Sequence, residues 1–82
     1  MKVLKFYATW CEPCKMLTRI MEQAKDKINI PVQEVNIEEE MELAQKYRVR
    51  SVPTMVIVAE DGTELKRQSG MLMEDKLLEF LS

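Results

Sequence analysis

Apolar residues along this chain change their spacing several times, and each change marks the start or end of an element. Val3-Leu4-Lys5-Phe6-Tyr7-Ala8 is short and rich in strand-forming residues, which predicts a buried or half-buried strand. From Pro13 to about Lys27 the spacing becomes helical. Leu17, Ile20, Met21, Ala24 and Ile28 fall on one stripe, and Pro13 is accommodated in the first turn, where a missing N–H costs no helical bond. Asn29 and Pro31 break this helix, and Val32-Gln33-Glu34-Val35-Asn36-Ile37 alternates as a second strand. The run Glu38-Glu39-Glu40 suits the positive end of a second helix with Leu43, Ala44 and Tyr47 as its apolar stripe and Lys46 and Arg48 near its negative end. The same run would also serve as an acidic docking patch. Thr54–Ala59 is apolar on both faces, so it predicts an interior strand. Glu60-Asp61-Gly62-Thr63 carries the Asp-Gly hairpin signal before an amphipathic strand from about Glu64 to Ser69. A last helix, from about Glu74 to Leu81, presents Leu77, Phe80 and Leu81 at i, i+3 and i+4.

The order is therefore βαβαββα. Two parallel strands joined by a helical crossover, then an antiparallel hairpin and a closing helix, give an α/β fold with a four-stranded mixed sheet and helices on both faces. At 82 residues the chain has room for one domain, 1–82. A hydrophobic fraction of 46% with 32% charged residues suits a soluble globular protein. Twelve basic residues against fourteen acidic ones give a net charge of -2 without a basic patch, which argues against nucleic acid as a partner. No segment approaches the roughly 18 apolar residues of a membrane span, so no membrane partner is expected. Lys5 interrupts the first apolar stretch before it could serve as a signal peptide. Two cysteines are too few for the disulfide framework of a small secreted domain, and a reducing, cytoplasmic compartment is expected.

Both cysteines lie in Trp10-Cys11-Glu12-Pro13-Cys14-Lys15, between the first strand and the first helix. Thiols at this spacing can close a small disulfide ring, and a helix N-terminus favours an exposed thiolate. Cys11 is the candidate nucleophile and Cys14 the resolving thiol. A bare C-x-x-C also reads as half a zinc site or as two buried small apolar side chains. The chain has no histidine, and its two cysteines complete a tetrahedral site only if two chains share it, so metal binding is the weakest reading and no cofactor is expected.

Taken together, three separated motifs resemble the thioredoxin family across nearly the whole length of the chain. Phe6-Tyr7-Ala8-Thr9-Trp10-Cys11-Glu12-Pro13-Cys14-Lys15 is similar to the family's strand, tryptophan and redox loop. Val52-Pro53-Thr54 is similar to its cis-proline loop, and Gly70 to its glycine beside the redox site. The resemblance implies a thiol-disulfide oxidoreductase and electron carrier that reduces disulfide-containing protein substrates and is restored by a reductase of the thioredoxin-reductase type. A monomer is expected. The resemblance also implies a cis peptide at Val52-Pro53 that exposes the main chain of Val52 to an extended substrate segment. Other readings stand beside these. Pro53 could simply open a strand, Trp10 could fill core rather than dock a partner, and Gly70 could end a strand. Met71 suits a docking rim, and Met73 suits general surface or core.

Three departures from the family change the expected chemistry. The chain is shorter than an ordinary thioredoxin and glutaredoxin-like in size, yet it has Glu12-Pro13 between its cysteines and a single glycine, Gly70, before the last helix. Both features disfavour a glutathione site. A glutaredoxin-type enzyme, or a non-enzymatic peptide-binding module with the dithiol as a switch, are the alternatives. Six residues before the first cysteine the family commonly has a buried aspartate paired with a lysine; here Lys5 and Glu34 hold those places, with the charges exchanged. Either both lie at the solvent edge, or they form a buried pair in which Glu34 accepts the proton of Cys14. Glu12 opposes ionisation of Cys11, while the helix terminus and Lys15 favour it. The expected potential is a reductant's, nearer roughly -270 mV than about -120 mV.

Overall fold

Strand β1 (Lys2–Tyr7) lies inside the sheet and organises everything that follows it. In the computed structural model, which describes residues 1–82, the chain continues through α1 (Glu12–Gln23), a 3-10 turn (Lys25–Lys27), β2 (Val32–Asn36), α2 (Met41–Lys46), β3 (Thr54–Val58), β4 (Glu64–Ser69) and α3 (Glu74–Leu81). The sheet order is β2-β1-β3-β4, with β1 and β2 parallel across the α1 crossover and the other two pairings antiparallel. This is the expected four-stranded mixed α/β sheet.

Side-chain parity on the interior strands divides the core in two. Val3, Met55 and Ile57 face Leu17, Ile20 and Met21 of α1 and Leu77 of α3. Leu4, Phe6, Val35, Val56 and Val58 face Ala44 of α2 and Tyr47 just beyond it. Helices α1 and α3 therefore cover one face and α2 the other. All positions of β3 are buried, as its continuous apolar run requires, whereas β4 at the edge is mostly exposed.

Several boundaries differ from the sequence reading, each for a local reason. Helix α1 stops at Gln23, and the chain tightens into a 3-10 turn in which Lys27 N–H donates to Ala24 O at 2.8 Å and Ile28 N–H to Lys25 O at 3.2 Å. Ile28 still reaches the core, so the apolar stripe persists past the end of the α-helix. The acidic run does not form the first turn of α2. Asn36 Oδ1 accepts the N–H of Glu38 at 2.8 Å, and the Asn36 carbonyl accepts those of Glu39 and Glu40 at 3.1 and 2.8 Å. An asparagine offers the backbone this local alternative, which delays the helix to Met41.

Helix α2 ends with two crossed bonds, from Arg48 N–H to Gln45 O at 3.0 Å and from Val49 N–H to Ala44 O at 2.9 Å. This closing motif needs a left-handed residue, and Arg48 supplies it at φ 53°. Tyr47 OH donates to Gly62 O at 2.6 Å, tying α2 to the Asp61-Gly62 hairpin. Arg67 of β4 donates to the Tyr47 carbonyl at the end of α2 and grips Glu64 with two bonds of 2.8 and 2.7 Å. That fork holds the Glu64 carboxyl below its ordinary pKa and raises that of Arg67.

Candidate active site

After Tyr7 the chain turns sharply: Ala8 O accepts the N–H of Cys11 at 3.2 Å, and Cys11 becomes the N-cap of α1. Glu12, Pro13 and Cys14 follow as the first three helical residues. Cys14 N–H donates to Cys11 Sγ at 3.1 Å, so the sulfur does the work of a capping oxygen. The two cysteines are joined as a disulfide with their Cα atoms 5.2 Å apart. Both are buried, at 3% and 2% exposure, among Tyr7, Ala8, Ile37 and Val52. The expected exposure of Cys11 is therefore not met in this oxidised form, in which the residue packs in a cluster with Ala8 and Cys14.

The Val52-Pro53 peptide is cis, and Pro53 O accepts Gly70 N–H at 2.8 Å, which brings the glycine to the rim. Gly70 has φ 89°, and a Cβ built there would meet nothing within 4 Å. Within the protein its glycine is explained by backbone conformation rather than by crowding. Glu12, Pro13, Val52, Pro53, Gly70 and Met71 line one open groove of about 600 Å³, joined by Met16 and Arg19 of α1. Nothing in the sequence singles out Met16 or Arg19 beyond the helical spacing they share with Pro13. Trp10 does not fill core. It is 65% exposed on the redox turn, outside this groove. Lys15 pairs with Glu12 at 3.1 Å on the exposed side, so the two charges that compete over Cys11 largely offset one another.

Beneath the redox helix lies Lys5, 2% exposed, donating to Thr18 Oγ1 at 2.6 Å and to Glu34 Oε1 at 3.0 Å. Strand register alone sets Lys5 beside Glu34. Neither expected arrangement of this pair holds in full. The ammonium is buried, while the Glu34 side chain is 51% exposed because β2 is an edge strand. A cleft of about 390 Å³ between α1 and β2 is lined by both residues and by Thr18. Thr18 in turn donates to Cys14 O at 3.0 Å, so the contact chain reaches the resolving cysteine at its carbonyl and not at its sulfur. Thr18 also escaped the sequence reading. Its signal is position: a threonine four residues after Cys14 can bond back to that carbonyl.

A pair of cysteines able to cycle between dithiol and disulfide at a helix start, on this sheet, makes the chain a thiol-disulfide oxidoreductase. A family model described as Thioredoxin matches residues 1–82. The thioredoxin of Chlamydia trachomatis serovar D is 35% identical over 81 residues, covering 98% of this chain and 78% of the relative. That of Mycoplasmoides gallisepticum is 38% identical over 80 residues, covering 96% and 79%. Among solved structures, a mutant thioredoxin from Halobacterium salinarum superposes with a TM-score of 0.85 at 35% identity, covering 96% of this chain and 69% of that one. The Fasciola hepatica thioredoxin gives 0.81 at 35% identity, with coverage of 96% and 75%. The chain belongs to the thioredoxin family, and its activity is dithiol-disulfide reduction through Cys-Glu-Pro-Cys. No helix is long and apolar enough to cross a membrane.

Proposed function

We propose that Cys11 is the attacking thiolate and Cys14 the resolving one, acting on disulfides of protein substrates laid along the Val52-Pro53 loop. The observation that carries this reading is the position of the cysteines at the N-cap and third residue of α1, against Val52. Cys11 thiolate displaces one substrate thiolate and forms a mixed disulfide. Cys14, once deprotonated, attacks Cys11 sulfur, releases the second substrate thiol and closes the Cys11–Cys14 disulfide. Two electrons pass to the substrate, and a reductase of the thioredoxin-reductase type returns two to the protein. Trp10, Gly70 and Met71 belong to the docking surface, and Glu12, Pro13 and Lys15 tune the pair. Glu34, held by Lys5, accepts the proton of Cys14 in the second step. Residues 1–82 act as one domain and a monomer, in the cytoplasm, where the dithiol can be regenerated.

Insulin reduction by catalytic amounts of protein, sustained by NADPH and a thioredoxin reductase but not by glutathione, tests the electron source. The Cys14→Ser variant should trap a mixed disulfide that Cys11→Ser cannot form. Trapping by Cys11→Ser alone would reverse the assignment. Glu34→Gln should slow release of the reduced substrate while leaving the first attack nearly intact, and an unchanged single-turnover release rate would remove Glu34 from the mechanism.

A further inference from the structure

Pro13, Met16 and Arg19 lie at three-residue intervals on the exposed side of α1 and form one wall of the groove that Val52, Pro53 and Met71 complete. Two charged side chains interrupt this apolar lining. Glu12 is already paired with Lys15, whereas Arg19 takes part in no ion pair. The groove thus carries one uncompensated positive charge, at the end away from the disulfide. Arg19 follows Cys11 by eight residues, a rise of about 12 Å along the helix at ~1.5 Å per residue. An extended segment covers that distance in about three to four residues.

We infer that Arg19 is a specificity residue, and that the groove favours a disulfide-bearing segment with an aspartate or glutamate three or four residues from its reactive cysteine. This inference rests on the groove being the substrate site. The chain's net charge of -2 does not draw acidic partners from a distance, so the preference has to arise at contact, from the Arg19 guanidinium meeting a carboxylate on the docked segment.

The experiment uses prereduced protein and peptides dimerised through one cysteine, with aspartate, alanine or lysine at the third and fourth positions on either side. In single turnover the aspartate dimers should be reduced roughly three- to tenfold faster than the lysine dimers, the size expected of one exposed ionic contact. Arg19→Glu should invert this ratio and Arg19→Gln should abolish it. Lys76→Glu, on α3 and outside the groove, changes the formal charge by the same two units and should keep the ratio. An identical ratio in Arg19→Glu, or an equal loss in Lys76→Glu, overturns the inference. Failure of the unaltered protein to reduce even the alanine dimer would instead overturn the dithiol assignment, so the two outcomes are separable.

Discussion

On the α1/α3 face of the sheet, Val3, Leu17, Met55 and Leu77 pack beside a buried ammonium, that of Lys5. On the α2 face, Leu4, Phe6, Val35 and Val56 pack with no buried charge, and the charged residues Arg67 and Glu64 stand at the rim. The rim pair has a structural task, since Arg67 satisfies the carbonyl that ends α2. Lys5 instead bonds to two side chains, Thr18 of α1 and Glu34 of β2. Taking an ammonium out of water costs several kcal/mol, which a half-exposed partner repays only in part. Its place on the face that carries the redox helix, one hydroxyl away from Cys14 O, is where the role proposed for it requires it to be. The two faces thus differ in where they keep charge: at the solvent rim on one, within the core on the other.

The largest effects should be blind to this distinction. Phe6→Ala on one face and Leu17→Ala on the other should each cost about 3–5 kcal/mol in urea unfolding, because both side chains are fully buried. A much smaller loss on either face would show one core to be loosely packed. Lys5→Met separates the faces. Unfolding free energy should hold or rise by about 1–2 kcal/mol, as an apolar side chain replaces a buried charge and Glu34 is left facing water, while substrate release slows. A loss above about 2 kcal/mol would make Lys5 structural and erase the contrast.

Backbone substitutions give the next scale. Arg48→Gly on the α2 side should stabilise by about 1 kcal/mol, and Gly70→Ala at the redox rim should destabilise by a similar amount, since both sites have positive φ. Equal signs in thermal unfolding would mean that side-chain contacts outweigh conformation at one of them. The smallest effect belongs to the rim pair. Glu64→Gln should cost about 0.5 kcal/mol at neutral pH, because the pair is partly solvated. The Glu64 carboxyl is held low by Arg67, so its stabilisation is complete above the unfolded carboxylate pKa and is lost as pH falls through the lower folded value. Wild-type and variant stabilities should therefore converge in acid.

Periodicity and turn chemistry made most of the architecture legible: β4 and α3 begin and end where alternation, Asp61-Gly62 and the Leu77-Phe80-Leu81 stripe place them. They misjudged the end of α1, because a 3-10 turn keeps Ile28 on the core side as well as another helical turn would. The redox pair was legible from Cys11, Pro13, Cys14 and Pro53 together. Thr18 and Arg19 were not, since both look like solvent-facing polar residues until β1 brings Lys5 under one and the Pro53 loop faces the other. The half-buried character of the Lys5–Glu34 pair depends on β2 lying at the sheet edge, which residue spacing does not encode.

The sulfur of Cys11 both changes oxidation state and accepts the Cys14 amide at the start of α1. A thiolate is a stronger acceptor than a neutral disulfide sulfur. Gaining electrons therefore tightens the opening turn of the helix, and losing them slackens it. The Cys14 amide proton becomes a reporter of electron occupancy, readable by its chemical shift or exchange rate in the free protein, with no substrate present.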